Sequence, residues 1–142
     1  MSFLLDTNVI AELTTRPKPA PAVVAWARSV PAPALYLSVV TIAEIEAGIA
    51  AHTDPRRQDT YRRVLDGVRD EYQGRIVGIG ESEAVAYLAV HRKLKAAGTG
   101  IDPPDALIAA TALANGWTLV SRNIKHLART GATTLNPWDC PR

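Results

Sequence analysis

"LLDTNVIAEL" (residues 4–13) decides how the rest of the chain is read. With Phe3, two leucines make a short apolar run that stops abruptly at a carboxylate, Asp6. A run with helical spacing follows at once, with Val9, Ile10 and Leu13 on one side. The pattern predicts a buried strand over 3–5, a helix over 7–14, and Asp6 at their junction. An isolated ionised carboxylate at the edge of a core is costly unless something pairs with it. Asp6 therefore either caps the helix or waits for a partner supplied elsewhere.

The same alternation recurs along the chain. Strand-like runs stand at "ALYLS" (34–38), "RIVGI" (75–79), "WTLVS" (117–121) and "ATTLN" (132–136). Helical patterns fall between them. One follows the Pro-rich "RPKPAPA" (16–22) and ends at "VPAP" (30–33), and the next covers 39–51. The highly charged 54–72 reads as an exposed helix or a helical hairpin arm. The stretch 81–98 has acids first, bases last and a glycine after it, as the helix dipole favours. The clearest helix is 102–116, with Asp102 as an N-cap, proline in its first turn and Gly116 beyond its end. Alternating strands and helices predict one α/β domain over 1–142. Its expected form is a three-layer α/β/α sandwich around a central, mainly parallel sheet. Ligands in such folds sit beyond the carboxyl ends of the strands. Asp6, Ser38 and the segment from Ser121 all fall at such ends.

The bulk composition narrows the function classes. At 142 residues, 47% hydrophobic and 21% charged, the chain suits a single folded domain. It has no run of 18 uninterrupted apolar residues and no basic leader with an apolar core. No membrane role and a cytoplasmic location are the expectation. A single cysteine, Cys140, excludes an internal disulfide and a Cys-rich zinc site. His52, His91 and His126 are far apart in sequence and lack metal-ligand spacing. The net charge is +2, carried mostly by arginine, which suits bidentate phosphate contact better than lysine does. Such a chain is compatible with RNA without demanding it.

Three acids sit beside apolar stretches with no basic neighbour. Asp6 ends a strand, Glu44 lies in "IAEIEAG", and Asp105 opens an almost wholly apolar helix. Each has a structural explanation of its own: a cap, an exposed helical position, a charge complementing a helix dipole. Together they converge on one sheet edge, where carboxylates repel unless protons or cations intervene. Oxygen donors with few nitrogen or sulfur companions suit Mg²⁺ or Mn²⁺. A metal held that way serves phosphoryl chemistry.

"LLDTNVIAEL", "SVVTIAEIEAG", "IDPPDALIAATALANG" and "LVSRNIKHL" stand in the order and spacing of the PIN-domain ribonucleases. More narrowly, the chain resembles the VapC toxins of toxin–antitoxin pairs, including the FitB-like branch, whose chains often end in "NPW" as residues 136–138 do. The resemblance implies an α/β/α sandwich, Mg²⁺ or Mn²⁺ held by acids, and endonucleolytic cleavage of RNA. By position it implies Asp6, Glu44 and Asp105 as catalytic metal ligands. Glu46 rivals Glu44, which is preferred because it follows the "VTIAE" run. Asn123 takes the place of an aspartate found in many relatives; it offers an oxygen without charge, which puts a permanently occupied second metal site in question.

Around these, Thr7 and Asn8 are candidates to orient the first acid or a water, or simply to start the helix. Asp102 is a candidate for the same cleft, although an N-cap role also accounts for it. Arg122 and Lys125 are candidates to hold RNA phosphates. The resemblance further implies an antitoxin partner with an apolar helix, a homodimer, a toxin–antitoxin hetero-oligomer, and DNA contact only through the antitoxin. Two other readings remain: a catalytically weak scaffold that binds an antitoxin for DNA-linked regulation, and a metal-dependent nuclease acting on DNA.

Overall fold

The computed structural model describes residues 1–141. Strand β1 (Phe3–Leu5) leads straight into helix α1 (Thr7–Thr14), and α2 (Pro21–Ser29) follows. Then come β2 (Leu35–Ser38), α3 (Val39–Ala51), α4 (Pro55–Glu71), β3 (Ile76–Val77) and α5 (Glu81–Ala96). The chain continues through α6 (Pro103–Asn115), β4 (Thr118–Val120), α7 (Ile124–Ala128) and β5 (Thr134–Leu135). All pairings are parallel, in the order β3-β2-β1-β4-β5.

β1 is the central strand, and its side chains alternate between two cores. Phe3 and Leu5 pack with Val9, Ile10, Val23, Trp26, Leu37 and Val68 on one face. Leu4 packs with Ile108, Ala109, Ala112, Leu119 and Leu127 on the other. Period-two alternation between two helical layers is what makes "FLL" apolar at every position. The α/β/α sandwich expected from the sequence is therefore present. α5 lies outside α6, with Val90 and Leu94 against Ala106.

The sheet order places a topological switch between β1 and β4. The chain winds outward from β1 through β2 to β3, then returns to β1's other side for β4 and β5. Neighbouring connections diverge there and open a crevice beyond the carboxyl ends of the strands. The Asp6 N–H donates to the Val120 carbonyl at 2.9 Å, so the residues following β1 and β4 leave the sheet side by side.

Of the two forms expected for the charged 54–72 segment, the structure has one continuous helix, capped by the Asp54 side chain on the Arg56 N–H (3.0 Å). Other local expectations are corrected. Residues 124–128, read from sequence only as a segment after a strand, form a short helix. The outer strands β3 and β5 have two residues each, fewer than their apolar runs suggested. Asp102 occupies the N-cap position of α6, yet its side chain makes no capping hydrogen bond. Gly116 ends α6 with φ +68°, a left-handed turn that favours glycine and lets the chain enter β4 directly. No helix among the described residues is long and apolar enough to cross a membrane.

Candidate active site at the β1–β4 switch

Asp6 is both a helix cap and a site residue. It is only 3% exposed, and three groups hold its carboxylate. Oδ1 accepts the Thr7 N–H at 2.8 Å. Oδ2 accepts the Ser121 hydroxyl at 2.7 Å and the Asn8 side-chain amide at 3.3 Å. Burial pushes the Asp6 pKa up, and the hydrogen bonds from Ser121 and Thr7 oppose it. The carboxylate is thus oriented by donors rather than neutralised by a cation.

Thr7 links two of the acids. Its N–H goes to Asp6, while its hydroxyl donates to Glu44 Oε1 at 2.6 Å and stands 3.1 Å from the Thr41 hydroxyl. Starting α1 and orienting carboxylates are therefore one role for Thr7. Asn8 is similar: its amide donates to Asp6 and to Ser121 Oγ (3.1 Å), and its Oδ1 accepts the Arg122 N–H at 3.3 Å. The residues after β1 and those after β4 are tied together through it.

α3 separates the two rival glutamates. Residues two apart on a helix lie on nearly opposite faces. Glu44 faces Thr7, whereas Glu46 faces α4 and pairs with Arg62 at 3.6 Å and Arg69 at 3.5 Å. Ser38, also at a strand end, caps α3 through the Val40 N–H (3.0 Å).

Asp105 comes to the cluster from the first turn of α6. Burial raises its pKa most, followed by repulsion from Asp6, then Glu44, then Asp102; nearby His126 acts the other way. Asp102 and Asp105 share the wall of an open cavity of about 420 Å³ with His126. The uncapped Asp102 carboxylate is therefore free to take part in that cavity.

Asn123 behaves differently from the acids. It joins the network through its backbone, whose N–H donates to Ser121 Oγ at 3.0 Å. Its side chain lines a neighbouring cavity with Arg122 and Lys125.

Reading the sequence missed two residues here. Ser121 is fully buried at the end of β4, where strand-end position was its only signal. His126 was set aside for lack of ligand spacing, and α7 brings it beside Asp105.

The donor chemistry fits a hard divalent cation. Among the described residues none of Asp6, Glu44, Asp102 and Asp105 makes a salt bridge; the ion pairs involve Glu12, Glu46 and Asp66. The carboxylates feel one another's charge, but no three His, Cys, Asp or Glu side chains among the described residues form a ready-made ligand cage. Mg²⁺ keeps several waters and takes only one or two direct carboxylates.

A parallel sheet with acids gathered beyond its switch point defines an α/β class, and comparison specifies it. The PIN-domain profile matches residues 3–132, and the chain belongs to the PIN-domain family. It is 37% identical to the plasmid stability protein StbB of Pseudomonas syringae pv. tomato, over 96% of this chain and 99% of that one. It is 34% identical to the VapC ribonuclease Y4jK of Sinorhizobium fredii, over 96% and 98%. Toxin FitB of Neisseria gonorrhoeae is 33% identical over 96% and 98%. The crystal structure of FitAcB from Neisseria gonorrhoeae superposes with a TM-score of 0.89 at 33% identity, covering 96% of this chain and 99% of that one.

Proposed function

We propose that this protein is a divalent-metal-dependent endoribonuclease and the toxin of a toxin–antitoxin pair. The observation that carries the reading is the cluster of Asp6, Glu44 and Asp105, brought to one strand-end edge without a salt-bridging cation. The relatives named a VapC ribonuclease and a FitB toxin support it.

In this reading Asp6, Glu44 and Asp105 hold Mg²⁺ or Mn²⁺ directly or through water. When bound, the ion lowers the pKa of an attacking water and offsets charge on the phosphate. The chain's own residues supply orientation. Ser121, Thr7 and Asn8 fix the Asp6 carboxylate, and Thr7 fixes Glu44. Arg122 and Lys125 attract the RNA backbone. The test is cleavage of a structured RNA and a DNA of matching sequence while Mg²⁺ is titrated against EDTA. RNA cleavage that appears with Mg²⁺ supports the reading. Cleavage of DNA alone, or none at any Mg²⁺ concentration, replaces it with a DNA nuclease or a binding scaffold.

The antitoxin's seat in this reading is the apolar groove between α1, α3 and α4, lined by Ile10, Ala11, Ile45, Ile49 and Val64. An amphipathic helix would lay its apolar side there. The outer face of α5 exposes Val85 (65%) and Leu88 (60%) and suits a second copy of the chain. Light scattering checks both: Ala11→Arg should release the antitoxin, and Leu88→Lys should yield the smaller assembly. DNA contact is left to the antitoxin.

A further inference from the structure

Resting on the ribonuclease reading, we propose that the cavity beside the acid cluster is a subsite for a phosphate flanking the scissile one. Arg122, Lys125 and His126 would grip that phosphate, and the C-terminal "NPW" stretch would serve as the support for Arg122.

Two cavities meet at His126. One, of about 420 Å³, holds Asp102 and Asp105. The other, of about 340 Å³, is lined by Arg122, Lys125, Asn136 and Asp139. His126 lines both, so it stands on the ridge between them. The first cavity carries two carboxylates. The second carries an arginine and a lysine against a single carboxylate. A phosphodiester strand that reaches the acids and crosses that ridge meets an arginine and a lysine. Phosphate contacts of this kind set register and orientation on a nucleic acid without reading its bases.

Arg122 is held in place for such a role. Its backbone N–H is tied to Asn8 Oδ1 at 3.3 Å, and its guanidinium lies 5.1 Å from the centroid of the Trp138 ring. The Asn136 side chain accepts the Trp138 N–H at 2.9 Å, and Pro137 between them is buried. The three residues of "NPW" thus anchor an aromatic face under the guanidinium. A stacked arginine loses less freedom when it takes up a phosphate than a free one does. Trp138 is in this sense a positioning residue that acts through Arg122.

The experiment has two arms on the full chain. In the first, the cut linkage is mapped in a short RNA, and single neutral methylphosphonates replace the linkages on either side. For the wild type, one flanking replacement should lower kcat/KM about tenfold, chiefly through KM. In Lys125→Gln/His126→Gln the parent RNA should be cut less efficiently, and the replacement should make little further difference. Trp138→Leu should raise KM, and Trp138→Phe, which keeps an aromatic face, should restore it. In the second arm, binding of the same RNA is measured in EDTA against salt. Losing one phosphate contact should flatten the log–log slope by about 0.7. A flat methylphosphonate scan together with an unchanged salt slope overturns the subsite while leaving RNA cleavage standing. If Mg²⁺ elicits no cleavage, the ribonuclease reading fails and the subsite falls with it. Should Trp138→Leu not fold, the exposed Lys125 and His126 variants carry the test.

Discussion

Glu44 and Glu46 are two residues apart on the same helix, and the protein treats them in opposite ways. Glu46, on the α4 side, meets Arg62 and Arg69 across a half-exposed surface. Glu44, on the strand-end side, meets a threonine hydroxyl and lies near enough to Asp105 to repel its charge. On one flank charge is balanced within the fold. On the other it accumulates, held by neutral donors. Balanced surface pairs contribute little, about 0–1 kcal/mol. Accumulated carboxylates weaken the folded state unless a ligand offsets them, which is the arrangement expected where a cation is meant to bind.

The contrast can be broken at its strongest point first. Asp6→Asn should keep the fold, judged by circular dichroism, and lower Mg²⁺-dependent RNA cleavage at least about a hundredfold. A folded Asp6→Asn protein that cuts RNA at the wild-type rate would falsify the metal-ligand assignment.

Ser121→Ala comes next. It removes the 2.7 Å hydrogen bond to Asp6 without touching a ligand. Loss of such an orienting partner costs about 10–100-fold in metal affinity or activity. Because that bond holds the Asp6 pKa down, its loss should also move the acidic limb of the pH–rate profile to higher pH. An unmoved limb would mean that Ser121 serves packing alone.

A thermodynamic test is smaller in scale but independent of activity. The folded-state pKa values of Asp6 and Asp105 are raised. The stability they confer when protonated is complete below the ordinary carboxylate pKa of 3.8 and is lost as pH rises through the raised values. Metal-free protein should therefore melt at a lower temperature at pH 7 than these two groups alone would dictate near pH 4. Asp105→Asn should reduce that loss. Mg²⁺ should raise the melting temperature of the wild type by a few degrees and leave Asp105→Asn almost unmoved. Equal Mg²⁺ shifts in both proteins would detach Asp105 from the metal.

The smallest effect sharpens the other side of the comparison. Glu46→Gln breaks both arginine pairs, yet should cost no more than about 1 kcal/mol in a denaturant titration. Its cleavage rate should match the wild type. A large loss of cleavage would return Glu46 to the site in place of Glu44.

These differences show how far the sequence reaches. "FLL" followed by Asp6 was legible because a central parallel strand must be apolar on both faces and a strand end must face a crevice. The helices over 7–14 and 39–51 were legible to their last residues, because apolar spacing and the following breaks agree. β3 and β5 were overextended because strand-favouring residues continue past the last paired positions at the sheet's margins. Asp102 was assigned a cap from its position and a following proline, yet whether a side chain turns back to its helix is a rotamer choice the crevice decides. α7 escaped notice because five residues are too few for a periodicity to register, and His126 was hidden with it.

By itself, then, the sequence determined the parallel α/β/α architecture and marked Asp6, Glu44 and Asp105 as acids beside apolar runs. Both follow from local patterns: alternation of burial along a strand, spacing around a helix, and the cost of a carboxylate beside apolar residues. Only the tertiary structure turned Glu44 toward Thr7 and Glu46 toward the α4 arginines, made Ser121 the anchor of Asp6, and set His126 between an acidic and a basic cavity. Those outcomes depend on contacts between residues far apart in the chain, such as Asp6 with Ser121 and Thr7 with Glu44. No local pattern encodes such contacts, because the switch between β1 and β4 creates them only when the sheet closes.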